Sequence, residues 1–143
     1  MRPMWLVRLA LLLLAPGLAQ AEDAAVSPAE LGQIKSVIER QIAAFGRDDA
    51  ATAFSFASPA IQHQFGSPET FMRMVETGYP QVYRPRSVRF GEAKRAADRV
   101  VQEVDVIGPD GAGARAYYLM EHERDGSWRI NGVSLVPSRE RET

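Results

Sequence analysis

The side chains able to move protons, bind metals or attack a substrate are few in this 143-residue chain, and they are scattered. There is no cysteine, so thiol nucleophiles, disulfides and thiolate metal sites are all excluded. The two histidines, His63 and His122, lie far apart without a ligand-like spacing, and neither a metal nor any other cofactor is expected. His63 sits in Ile61-Gln62-His63-Gln64-Phe65 and reads as a surface residue of a short helix. His122 precedes a turn; at the rim of a pocket it would be a general base, and in solvent an ordinary surface residue. Asp48 and Asp49 are adjacent carboxylates. Such a pair can hold one raised pKa, because like charges resist double ionisation, and it can equally cap a helix. Tyr79 and Tyr83 flank Pro80 and offer phenols and ring faces to a ligand, or cover the end of the core. Arg84, Arg86 and Arg89 form one basic cluster, suited to an anionic ligand or to guarding a strand edge.

The elements that must position these groups begin after an export signal. Arg2 and Arg8 give a positive start, Leu9 to Ala15 is apolar, and Pro16-Gly17 breaks the helix before Ala19-Gln20-Ala21. Cleavage after Ala21 places the mature chain in the periplasm. The apolar run is well short of the ~20 residues that span a bilayer, so no membrane span is expected in the mature chain. Losing Arg2 and Arg8 takes the 17 Lys and Arg down to 15 against 18 Asp and Glu, a formal charge of −3. That balance disfavours nucleic acid and anionic membrane surfaces, which call for a basic excess.

Residues 22–27 read as a mobile segment. Ser27-Pro28-Ala29-Glu30 is a capping box, and Leu31, Ile34, Ile38, Ile42 and Phe45 follow as one apolar stripe, ended by Gly46 in the left-handed conformation. Asp48 or Asp49 caps a second helix, Ala50 to Ala57. Ser58-Pro59 and Ser67-Pro68 start two more, with Gly66 and Gly78 as their stops. Tyr79 to Pro85 reads as a loop.

Beyond Gly78 the apolar period changes to two. Val88 and Phe90 alternate with Arg89 and Gly91, and Arg99 to Ile107 alternates throughout. Pro109-Asp110-Gly111 and Arg124-Asp125-Gly126 are turns around a third strand, Ala114 to Glu123. A fourth strand runs Ser127 to Val136, with Asn131-Gly132 as a bulge because Val133 and Leu135 resume the pattern out of phase. Residues 137–143 read as a charged tail.

Helices first and a strand meander afterwards define an α+β domain over 28–136, with helices packed on one face of a curved antiparallel four-stranded sheet. The arrangement resembles the nuclear transport factor 2-like (cystatin-like) cone. More narrowly, Ile42-Ala43-Ala44-Phe45, Asp48-Asp49, Ala53-Phe54-Ser55-Phe56-Ala57-Ser58-Pro59, Phe65-Gly66, Gly78-Tyr79, Val82-Tyr83-Arg84-Pro85 and Asp125-Gly126-Ser127-Trp128-Arg129-Ile130 resemble the bacterial domain of unknown function 4864. The cone resemblance implies an apolar pocket between the first helix and the concave sheet. The narrower resemblance implies no activity.

Strand phase sorts the polar residues. Arg89, Glu103, Asp105, Arg115, Glu121, Glu123 and Arg129 fall opposite to Phe90, Val104, Tyr118, Met120 and Ile130, leaving Gln102, Tyr118 and His122 inward, with Glu92 near a strand end. The candidate pocket residues are therefore Tyr79, Tyr83, Gln102, Tyr118 and His122. With no inward mid-strand carboxylate, a non-catalytic module binding a small apolar or amphipathic ligand, or a protein, is the first expectation. A small hydrolase, isomerase or dehydratase using Tyr118, His122 and a tyrosine from the loop is the second. Val101, Ile107, Tyr117 and Leu119 share the outer face with the charges, which points to a homodimer through the sheets.

Overall fold

The computed structural model describes residues 25–141. The export signal expected at 1–21, residues 22–24 of the leading segment and the last two residues of the tail lie outside that span. Among the described residues, five helices precede the sheet: α1 Pro28–Gly46, α2 Ala50–Ser55, α3 Pro59–Phe65, α4 Pro68–Gly78 and α5 Pro80–Tyr83. Four strands follow: β1 Ser87–Ala96, β2 Arg99–Ile107, β3 Ala112–His122 and β4 Trp128–Arg141. They form one antiparallel meander in the order β1-β2-β3-β4.

Side-chain caps cut the helical half into pieces. Ser27, Asp49, Ser58 and Ser67 each accept from the backbone N–H three residues on, at 3.1 to 3.2 Å, satisfying donors that a helix start leaves orphaned. At Ser27 the box is reciprocal, since Glu30 accepts from the Ser27 N–H, and Glu30 also takes Arg95 at 2.6 Å, tying α1 to β1. The left-handed residue after α1 is Asp48, φ 57°, and not the expected Gly46, which stays helical. The stretch read as a loop, Tyr79 to Pro85, contains α5. Pro80 presets its first turn, although four residues are too few to show a period.

Two apolar clusters result. Ile34 and Ile38 of α1 pack on the concave face of the sheet with Val100, Val104, Tyr118 and Met120, while Leu31, expected in the stripe, is 37% exposed. Phe45, Ala53, Phe71, Val75, Val82 and Tyr83 make the second cluster among the helices, and Ile42 and Leu135 touch both. Tilted and edge-on rings centred on Phe71, at 5.5 to 6.1 Å from Phe54, Phe65 and Phe45, bind the short helices together.

The sheet carries bulges. Opposite Leu119, β4 inserts Asn131 and Gly132, as the broken apolar phase anticipates. Here Ser58 donates its hydroxyl to Asn131 Oδ1 at 2.6 Å, and backbone bonds join Ser58 to Ile130 and Ile130 to Phe56. A second bulge separates Phe90 from Ala93 in β1. Strand β4 also runs on to Arg141, past the boundary suggested at Val136, because β3 from Ala112 onwards supplies a partner for it. Ile107, expected on the outer face, is buried at 6% exposure.

Candidate functional site

A cleft of about 200 Å3 opens in the helical half. Its inner wall is Gln41 and Phe45 of α1, Ala57, Phe71 and Val75 of α4, Val82 of α5 and Ile130 of β4, all of them buried. Ile61, Gln64 and Phe65 of α3, Met74, Tyr79, the bulge residue Gly132 and its neighbour Val133 form the more exposed mouth. The β4 bulge and the Ser58–Asn131 bond set the position of α3 over this space, since they fix where the chain enters that helix.

Gln41 is the polar group at the buried end. It occupies the apolar stripe of α1, one turn from Ile38 and Phe45, and is 2% exposed. Its Nε2 donates to Ala53 O at 3.1 Å. A carbonyl can only accept, so this bond also fixes which end of the amide is which, and Oε1 is the end left for the cleft.

Of the five residues expected at a pocket, Tyr79 lines the cleft. The other four stand elsewhere. The hydroxyl of Tyr83, on α5, donates to Asp48 Oδ1 at 2.6 Å, its ring meets Phe45 at 5.9 Å, and it thereby latches α5 to the end of α1. Gln102 donates to the carbonyls of Gly91, Glu92 and Glu103 at 2.9 to 3.3 Å, satisfying acceptors that the β1 bulge takes out of the ladder. Tyr118 is wholly buried in the sheet cluster; its hydroxyl finds no partner among the described residues, and burial pushes its pKa up. His122 is exposed, its ring stacked on Trp128 at 4.4 Å and 3°. Tyr118 and His122, the pair required for the catalytic expectation, both lie outside the cleft lining. His63 is exposed as well.

The carboxylate pair does not hold a raised pKa. The Tyr83 hydrogen bond, with help from Arg84, holds Asp48 below the ordinary aspartate value of 3.8, and the hydrogen bonds from Thr52 do the same for Asp49, the actual cap of α2. The basic cluster is likewise divided. Arg84 bonds Asp48 at 2.7 Å and also the Gly46 carbonyl, whereas Arg89 pairs with Asp105 at 3.2 Å on the outer sheet face. Among the described residues no three His, Asp or Glu side chains gather as metal ligands would. No helix among them is long and apolar enough to cross a membrane.

Sequence reasoning missed Gln41, Ile61, Gln64, Met74, Val82 and Val133 as lining residues. A signal existed for Gln41, a polar residue lying in an otherwise apolar helical stripe.

A helical layer on a four-stranded antiparallel meander is the cystatin-like α+β architecture. A crystal structure of a protein of unknown function with a cystatin-like fold from Nostoc punctiforme is similar to this chain, with a TM-score of 0.55 and 11% identity over 81% of this chain and 96% of that one. The chain belongs to the family described as Domain of unknown function (DUF4864), which matches residues 28–143. No curated protein matches it.

Proposed function

We propose that this protein is an exported binding module whose cleft between α1, α3, α4 and the β4 bulge holds a small, largely apolar molecule. The observation that carries the reading is the character of the cleft: its buried wall is aliphatic and aromatic apart from Gln41, and its size exceeds the ~150 Å3 at which an apolar cavity accepts a benzene-sized guest. No carboxylate or imidazole is part of the lining, so a bound molecule would meet hydrogen-bonding groups and rings but no side chain that exchanges protons near neutral pH. This supports binding over the hydrolase, isomerase or dehydratase alternative. Export rests on the sequence of residues 1–21 and puts the site in the periplasm.

Native mass spectrometry of the protein purified undenatured from its own periplasm tests both parts. The expected spectrum shows a chain beginning at Glu22 with a stoichiometric small molecule that leaves on unfolding. An intact leader would remove the export claim. Ligand-free protein that also takes up no apolar probe would remove the binding claim.

A second surface supports a separate reading. Val101, Tyr117 and Leu119 are half-buried on the outer sheet face, and Val136 beside them is 48% exposed, among charges paired as Arg89–Asp105–Arg115. An apolar strip edged by charge suits a symmetric sheet-to-sheet homodimer. Light scattering that reports a monomer at high micromolar concentration would discard it.

A further inference from the structure

We infer that the molecule taken by the cleft carries a hydrogen-bond donor on an otherwise apolar body, such as a phenol, an alcohol or a primary amide, and that Gln41 Oε1 is the acceptor for it. The inference rests on the binding role proposed above and adds the chemical class of the ligand.

Gln41 is nearly wholly buried, yet it belongs to the cleft lining. Its amide cannot turn over, because Ala53 O needs the NH2 end. The hydrogen bond to Ala53 is the one that the structure gives this side chain, and Oε1 has none among the described residues. Oε1 is therefore a fixed acceptor on a buried side chain that shares the cleft lining with Phe45, Ala57 and Ile130. An acceptor that faces an apolar cleft loses its water when a ligand fills the space, and a ligand that brings a donor to it restores the bond. A ligand that brings a second acceptor, a carboxylate above all, would instead place two lone-pair groups against each other. Gln64 and Tyr79 stand at the mouth, where they can meet water or a polar tail. The cleft thus selects a donor at the buried end and an apolar middle.

The probes are phenol and toluene, which differ by a hydroxyl in place of a methyl and are small enough for the space. Their dissociation constants are measured by NMR titration on the wild-type protein and on Gln41→Met, which keeps length and loses the acceptor. Because toluene is the more hydrophobic probe, the informative quantity is the preference for phenol over toluene in wild type relative to that in the variant. It is expected to fall about five- to tenfold on substitution, the worth of one hydrogen bond. In wild-type protein, the Gln41 side-chain carbonyl carbon should also shift with phenol and stay still with toluene, a readout independent of whether the variant folds. Binding of both probes with an unchanged preference, or with no carbonyl response to phenol, overturns the role of Gln41 and leaves the cleft as a binding site. Failure of both probes to bind the wild-type protein overturns the binding role itself, and this inference with it.

Discussion

The two apolar clusters have similar residue types and opposite outcomes. Against the sheet, one long helix lays Ile34 and Ile38 across a regular concave surface of Val100, Val104 and Met120, and these side chains are excluded from solvent. Among the helices, three short segments, α2, α3 and α4, meet at Phe54, Phe65 and Phe71, each entering at an angle set by its own cap. A long helix on a pleated surface can interdigitate along its length, whereas short helices and bulky rings meet at a few points and leave space between them. Apolar content alone therefore did not close the second half. The bulge in β4 adds to this by lifting Gly132 out of the ladder and into the mouth of the cleft, beside Val133, which stays paired with Tyr118.

Truncation should separate the halves most clearly. Ile38→Ala removes a side chain from a closed region and leaves a void, at an expected loss of about 4 kcal/mol in urea unfolding. Ile61→Ala removes the same atoms from the wall of an open cleft that solvent can enter, and a loss of about 1–2 kcal/mol is expected. Equal losses would break the comparison.

The latch that closes the helical half on itself should respond to acid. Tyr83 and Arg84 hold Asp48 below 3.8, so its contribution is present above that value and is lost as pH falls through the lower folded-state pKa. The stability gap between wild type and Asp48→Asn should stay constant from neutral pH down to about 4 and shrink below it. A gap that widens in acid would remove the latch. The smallest effect belongs to the sheet half: Tyr118→Phe deletes a buried hydroxyl without a partner, and stability should be unchanged or higher by up to about 1 kcal/mol. A clear loss in thermal unfolding would show that this hydroxyl has a partner, such as an internal water.

Much of this architecture is written in local signals. Ser27 with Glu30, Ser58-Pro59 and Ser67-Pro68 mark helix starts within a few residues, and the limits of β2, Arg99 to Ile107, follow from strict alternation. The phase slip at Asn131-Gly132 gives the bulge in the same way. What escaped depends on partners distant in sequence. Gln102 points inward as its phase requires, but its amide serves a bulge in β1 that no alternation reveals once Gly91 and Glu92 interrupt it. Tyr83 looks like a ligand contact until Asp48, far back in the chain, takes its hydroxyl. The cleft was expected between α1 and the concave sheet, where Ile34 and Ile38 in fact fill the space; it lies one layer away because packing of short helices is not encoded in any single stripe.

The most direct measurement is a toluene titration of the wild-type protein followed by its methyl resonances. The open helical half predicts saturable shifts at Ile61, Met74, Val75, Val82 and Val133, with Ile34 and Ile38 of the closed half unmoved. Shifts centred on Ile34 and Ile38, or no saturable shift anywhere, would contradict it.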